Sequence, residues 1–268
     1  MRVPRMNAQD DNRGPSEPKE SAKSKHRLIA EQLLSEIESG RWKPGGQLPS
    51  EEQLAKEAKA SLGTVQRALR NLVDMGVVER HQGRGTFVSG ARAPERHLRH
   101  FRFKADGGEQ LLPVYFTILD AEETQESGPW RDFLQAKEDR FIRIRRLASI
   151  NKEFDAFSEV YLPADRFGQL ARMKRVNLDG VSIRDMLAER FNAPTLNSRQ
   201  TMLCQALPPR VTRIIGVPAG QYGIVWTICG MTYRDVPITW QRIFLPPSDR
   251  MLEIASGAPY EGASKSGG

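Results

Sequence analysis

Apolar residues in the first third of the chain recur at helical spacing. Ile29, Leu33 and Ile37 stand four apart, and with Leu28 and Leu34 they predict one apolar helix face. Gly40 ends that helix, and Arg41, Trp42, Lys43, Pro44, Gly45 and Gly46 form a turn. Ser50, followed three residues later by Gln53, has the pattern of a capping box. Leu54 and Ala58 point the short helix it opens toward the core. After a break at Lys59 and Ala60, Ser61 is suited to cap a third helix. That helix is expected to bury Val65, Ala68, Leu69 and Leu72. Its other face offers Thr64, Arg67, Arg70 and Asn71, with Gln66 at the border. Gly76 is placed to end it in a left-handed conformation.

The period then changes to two. Residues 77–81 and 86–88 read as strands around a tight turn of Gln82, Gly83, Arg84 and Gly85. Two short helices joined by a tight turn, the second displaying polar and basic groups, follow the helix-turn-helix plan. A hairpin directly after them reads as a wing. Arg84 stands at its tip between two glycines. Glycine lets a backbone approach closely, and a single arginine suits a narrow, electronegative minor groove. Residues 24–90 are therefore expected to form a winged helix-turn-helix DNA-binding domain.

A second block, residues 108–255, alternates strand-like and helix-like stretches and predicts a separate ligand-sensing domain. Residues 141–147 alternate apolar and basic: Ile142 and Ile144 on one face of a strand, Arg143 and Arg145 on the other, expected solvated. Arg146 breaks the alternation and shares the apolar face. A cation facing inward needs an anionic partner, either internal, such as Glu159, or a ligand carboxylate or phosphate. Phe157, Tyr233 and Trp240 are open to two readings, an aromatic wall for a ligand or the core of a sheet.

Composition adds the outline. Residues 1–23 and 256–268 carry almost no large apolar residue and are expected to be disordered tails. Residues 91–107 read as a linker. Over residues 90–104, Arg92, Arg96, Arg99, Arg102 and Lys104 stand against one acid, Glu95, which suits a solvated linker or an arm near a phosphate backbone. The net charge is +7 and the pI is near 9.6, which favours an anionic partner, nucleic acid first. No apolar run is long enough to span a membrane, and residues 1–25 lack the apolar core of a secretory signal. Cys204 and Cys229 form neither a disulfide framework nor a metal-ligand spacing, and a reduced cytoplasm is the simplest compartment. His26, His81, His97 and His100 all precede residue 108, which leaves the expected sensing domain without a histidine. No nucleophile–base or metal-binding pattern is visible. The expectation is a non-enzyme with no metal and no cofactor. Two rivals remain: an enzyme using carboxylates such as Asp155, Glu159 and Asp235, or an architectural DNA-binding protein. The large second apolar block argues against the latter.

Over residues 25–88 the chain resembles the GntR family of regulators. The resemblance is carried by Gly40, Arg41, Trp42, Lys43, Pro44 and Gly45, by Leu48, Pro49, Ser50 and Glu51, by Thr64, Val65, Ala68 and Leu69, and by the unbroken run Gln82, Gly83, Arg84, Gly85, Thr86, Phe87 and Val88. It implies a homodimer on a short, near-palindromic double-stranded DNA operator. The contact set is Ser50, Glu52, Ser61, Leu62, Thr64, Gln66, Arg67, Arg70, Arg84, Gly85 and Thr86. Typical family members carry arginine where this chain has Glu52, Leu62 and Gln66. Glutamine pairs well with adenine in the major groove, so Gln66 is expected to read an A·T pair.

Residues 110–250 are similar to the UTRA effector domain of the HutC subfamily. The similarity is carried by residues 141–147, by Val160, Tyr161, Leu162 and Pro163, by residues 182–187, by Gly216, Val217, Pro218, Ala219 and Gly220, by Thr232, Tyr233, Arg234 and Asp235, and by Pro237 and Ile238. It implies a chorismate-lyase-like mixed sheet with helices, an α+β and α/β chain overall, and a small-molecule effector bound against the sheet. Arg146, Ser158, Glu159, Tyr233 and Thr239 are the expected ligand contacts. Ala148 stands where sugar-phosphate-binding relatives carry a second arginine, which points to a less charged effector such as a small organic acid.

Overall fold

The computed structural model describes residues 24–89, 100–108, 110–173, 178 and 180–254. Both expected tails, residues 1–23 and 256–268, and the linker cations Arg92, Arg96 and Arg99 lie outside the described residues.

Helix α1 (Lys25–Glu38) buries Ile29, Ala30, Leu33, Leu34 and Ile37. Leu28, expected on the same face, is exposed, because it falls one position short of the stripe that meets α3. Helix α2 (Glu51–Glu57) starts where the Ser50 hydroxyl accepts a hydrogen bond from the Gln53 N–H. The reciprocal half of a capping box is not formed, since the Gln53 amide donates instead to Glu57. Helix α3 (Leu62–Asp74) is capped by Ser61, which accepts from the Thr64 N–H. Val65, Ala68, Leu69 and Leu72 are fully buried. Truncating either leucine to alanine is expected to cost about 2–5 kcal/mol. Strands β1 (Val78–His81) and β2 (Gly85–Val88) pair antiparallel, and the 40s turn is tied to them by Leu48 N–H to Thr86 O and Val88 N–H to Gly46 O. This is the expected winged helix-turn-helix.

The second domain is built on six strands: β3 (Val114–Thr124), β4 (Phe141–Ile150), β5 (Phe154–Pro163), β6 (Asn197–Ala206), β7 (Tyr222–Met231) and β8 (Pro237–Leu245). They lie in the order β3-β4-β5-β8-β7-β6. The expected layering of sheet and helices is present, but within the sheet every pairing is antiparallel, with no mixed portion. The β4–β5 and β7–β8 connections are too short for the crossover that a parallel neighbour requires. On one face, α5 (Ala164–Phe167) and α6 (Ile183–Phe191) cover Ile142, Ile144, Val160 and Leu162. Phe101 and Phe103 cover Ala148, Ile150 and Trp226 farther along that face. On the other face, α4 (Trp130–Leu134) packs Trp130 on Tyr161 and Trp240, while α7 (Pro209–Ile215) packs on Phe157 and Phe244. No helix among the described residues is long and apolar enough to cross a membrane.

The segment from His100 to Lys104, expected to be linker, is part of this domain. Phe101 and Phe103 are buried, and the backbone pairs Phe103 with Leu252. Arg102 and Lys104 pair with Glu253, so neither is a free arm toward phosphate. The alternating apolar residues at 101 and 103 are a strand signal hidden under the basic ones.

The two domains touch. Tyr233 is buried within the head's own core cluster. Arg234 pairs with Glu31 and Glu38 of α1. The Asn192 side chain, at the end of α6, donates to the carbonyls of Ile37 and Glu38.

Candidate functional site

The head presents its polar face as expected. Ser61, Leu62, Arg67 and Arg70 are exposed along α3, while Thr64 and Gln66 are half-buried at its margin. Arg67, Arg70 and Arg84 make no ion pair among the described residues, so their charge is available to phosphate or a base edge. Gln66 is not free. Its Nε2 donates to Glu51 at 2.8 Å, and Glu51 also holds Arg80 of the wing strand. One carboxylate thus fixes the recognition helix against the wing. The remaining amide hydrogen and the Oε1 of Gln66 stay open for a bidentate pair with adenine.

The wing tip is set by backbone geometry. Gly85 has φ +106°, and a Cβ there would stand 2.8 Å from the Gln47 amide nitrogen, so only glycine fits. That amide donates to the Arg84 carbonyl, which holds the tip while the Arg84 side chain points to solvent. Ser50 and Glu52 are exposed at the start of α2; the hydroxyl of Ser50 is engaged as the cap. Thr86 is buried, unlike the rest of the expected contact set, because it alternates inward on β2. Its side chain lies within the head rather than facing solvent.

In the sheet domain a cavity of about 70 Å³ opens between the two apolar clusters of one face. Arg146 projects into it from the middle of β4. Its guanidinium makes no hydrogen bond or ion pair among the described residues; its one close partner is the Phe116 ring, 4.6 Å away. Burial alone pushes its pKa down to about 10, so it remains a cation at neutral pH. An uncompensated buried charge is costly unless something binds it. Facing Arg146 across the cavity is the start of α6, with Ser182, Ile183 and Arg184 on the lining. The first N–H groups of a helix lack intrahelical partners and favour an anion. Thr195, Ser198 and Thr239 add hydroxyls, and Gln241 lines the wall while donating to the fully buried Ser158. The cavity is suited to a small anionic ligand with hydrogen-bonding groups.

Residues 25–88 match the family described as bacterial regulatory proteins, gntR family, and residues 113–250 match the UTRA domain. The chain belongs to the GntR family. Among its relatives, the HTH-type transcriptional repressor NagR of Bacillus subtilis is 44% identical over 194 residues, 72% of this chain and 78% of that repressor. The mannosyl-D-glycerate transport/metabolism system repressor MngR of Escherichia coli is 29% identical over 150 residues, 54% of this chain and 61% of that repressor. The ligand-binding domain of a GntR-family regulator from Bordetella bronchiseptica superposes with TM-score 0.53 at 16% identity, over 59% of this chain and 98% of that one; it shows the fold. GntR chains of this kind are transcription regulators, in line with the expectation that this chain is not an enzyme.

The UTRA cavity gathers only part of the expected ligand set. Arg146 and Thr239 line it, and Ser158 supports it through Gln241. Glu159 does not partner Arg146. It alternates to the other face of β5, where Arg210 grips both carboxylate oxygens at 2.7 and 2.8 Å. Tyr233 is also elsewhere, against the head. Phe157 and Trp240 face the opposite layer, so no aromatic wall forms from them. Arg143 and Arg145, expected solvated, are held by Glu122 with Glu126 and by Asp120, acids that β3 brings alongside or just past its end. Hydrogen bonding to Asp120, with the charge of that carboxylate, raises the pKa of Arg145 against the opposing effect of burial. Sequence reasoning missed Phe116, Ser182, Arg184, Thr195, Ser198 and Gln241, which come from four separate segments. His100 also lines the cavity, edge-on to Trp226, so the sensing domain does contain a histidine.

Proposed function

We propose that this chain is a cytoplasmic transcription repressor that binds a near-palindromic operator as a homodimer and releases it when a small organic acid occupies the UTRA cavity. The observation that carries the effector half is Arg146, a buried cation with no anionic partner among the described residues, which lines one cavity with the first turn of a helix. One such cation, with Ala148 in place of a second, suits a monoanion better than a sugar phosphate. The DNA half is supported by three exposed arginines on α3 and the wing that make no ion pair among the described residues. Ligand binding would then shift the population between dimer arrangements whose heads do and do not match half-sites about 34 Å apart.

The test is fluorescence anisotropy of the full chain on its own upstream DNA against a scrambled duplex, across salt, followed by a thermal-shift screen of small carboxylic acids and phosphorylated sugars. Specific, salt-steep binding that carboxylates reverse is the expected result. Stabilisation by phosphorylated sugars alone overturns the organic-acid assignment, and equal binding to both duplexes overturns specific operator recognition at that site.

A further inference from the structure

We propose that the face of the sheet turned away from the effector cavity carries a second anion site, in which Arg242 and Arg210 hold a phosphoryl group beside Thr227. The site is separate from the Arg146 cavity and goes beyond the function proposed above.

Strand register lays this face out in rows. Helix α4 covers the row that holds Tyr161 and Trp240, and α7 covers the row that holds Phe157 and Phe244. Between them runs a polar row, Arg145, Glu159, Arg242, Thr227 and Thr201, one residue on each of five neighbouring strands. Arg242 and Thr227 are half-buried and Thr201 is exposed. The charges in this row do not balance. Asp120 takes Arg145. Glu159 is buried, and both its oxygens are held by Arg210 from the first turn of α7, at 2.7 and 2.8 Å. Arg242 stands next to Glu159 in the register, yet it makes no hydrogen bond or ion pair among the described residues, and its Nε is buried. Burial pushes its pKa down, against the pull of the Glu159 charge, and the nearby Arg210 cation lowers it further.

The two arginines converge. Their guanidinium carbons lie about one ring, that of Phe244, at 5.9 Å for Arg242 and 6.0 Å for Arg210. The Trp240 ring supports Arg242 at 4.8 Å. Two cations thus meet over one carboxylate whose oxygens are both taken, and a partly desolvated cation without a counter-ion favours any anion that reaches it. The donors on offer select a phosphoryl group. Guanidinium forks pair with oxyanions through parallel N–H bonds. Arg210 uses only its two terminal nitrogens on Glu159, one bond each, and its side chain is 49% exposed, so further N–H groups remain to donate. Thr227 is the cross-strand neighbour of Arg242, which sets its hydroxyl within reach of the same ligand. A phosphoryl group has three oxygens for these three donors, where a carboxylate has two. Gln241, the residue before Arg242 on β8, lines the effector cavity, so the two sites stand back to back across one strand.

Equilibrium dialysis of inorganic phosphate and of phenyl phosphate against the full chain, at constant ionic strength, tests this. Both are expected to bind the wild type. Arg146→Met is expected to keep those affinities within about twofold, because it alters only the other face. Arg242→Gln is expected to weaken both by roughly tenfold or more, while its thermal shift with carboxylates stays that of the wild type. Tighter binding of phenyl phosphate assigns the site to an organic phosphate, and tighter binding of inorganic phosphate assigns it to the free ion. Far-UV circular dichroism checks that Arg242→Gln folds. Thr227→Val, nearly isosteric, is a second variant, expected to weaken phosphate binding by about threefold or more. Binding that is absent from the wild type, unchanged in either folded variant, or lost in Arg146→Met overturns the second site. Phosphate binding that behaves as expected in a wild type deaf to carboxylates overturns the organic-acid assignment and leaves this site standing.

Discussion

The Asn192 side chain donates from Nδ2 to the carbonyl of Ile37 at 2.9 Å, tying the last turn of the effector-domain helix α6 to the last turn of the DNA-head helix α1. The same nitrogen reaches the Glu38 carbonyl. Asn192 holds a left-handed backbone, φ 48°, at the end of α6, a conformation that asparagine tolerates better than most residues. The other end of α6 is the cavity wall at Ser182, Ile183 and Arg184. A nine-residue helix therefore runs from the candidate effector cavity to two carbonyls at the end of the head helix α1.

Asn192→Gly keeps the backbone conformation and removes the donor. It is expected to cost about 1 kcal/mol of stability, leave carboxylate-induced stabilisation of the effector domain intact, and blunt ligand-driven release of DNA. Thermal shift and anisotropy on the same variant separate the two effects. Full ligand response of the DNA complex would show that coupling runs elsewhere.

Arg146→Met removes a buried cation that has no anionic partner among the described residues and replaces it with an apolar chain of similar length. The ligand-free variant is expected to be as stable as the wild type or more so, and to show no thermal shift with carboxylates. Because burial holds the folded-state pKa near 10, below the unfolded value, the wild type binds that proton less tightly when folded. Its stability deficit relative to Arg146→Met shrinks as pH rises through 10. A loss of about 3 kcal/mol or more in the variant would reveal a hidden internal partner.

Gln66→Ala tests base reading. Selection of operators from a randomised pool is expected to show an A·T preference at one position of each half-site for the wild type, relaxed by about 1–3 kcal/mol in the variant. Glu51→Ala is expected to weaken the same preference, since Glu51 orients the Gln66 amide at 2.8 Å. Unchanged preference in both variants would remove Gln66 from the readout.

Arg84→Ala leaves the turn glycines in place and removes one exposed cation. Affinity is expected to fall for specific and scrambled DNA alike, with the slope of log affinity against log salt reduced by about one. A sequence-selective loss would instead assign Arg84 a base contact.

Tyr161 stacks on Trp130 with ring centroids 3.7 Å apart, and burial, helped by the nearby Glu159 charge, pushes its pKa up to about 12. For an acid raised on folding, the protonated form contributes stability that is complete below pH 10 and lost as pH rises toward 12. Alkaline titration at 295 nm is expected to show a late tyrosine near pH 12 that disappears in Tyr161→Phe. A variant titrating like the wild type would place that ionisation on another residue.

The DNA head was largely legible in the sequence because its signals are local. Helical spacing named Ile29, Leu33 and Ile37, single side chains named the caps Ser50 and Ser61, and two glycines placed Arg84 at a turn. Those features depend on residues within a few positions of one another, where backbone geometry alone decides. Leu28 and the Gln53 amide were misread because a helix face and a side-chain partner depend on what packs against them.

The effector cavity was less legible for a physical reason. Alternation along β4 put Arg146 on the apolar face, and the family pattern named Thr239, but the sequence gives no measure of what stands opposite either of them. Register across β4 and β5 sets Arg146 beside Ser158 and Arg145 beside Glu159, which sends Glu159 to the far face and to Arg210. The fold of α6 over the sheet brings Ser182 and Arg184 to Arg146, and the turn between β7 and β8 carries Tyr233 into the head. The sequence by itself determined which segments become helix, strand and wing, since short-range sterics and hydrogen bonding set those. Only the tertiary structure decided which charges are paired and that Arg146 is buried with no anionic partner among the described residues, because pairing depends on distances between residues far apart in the chain.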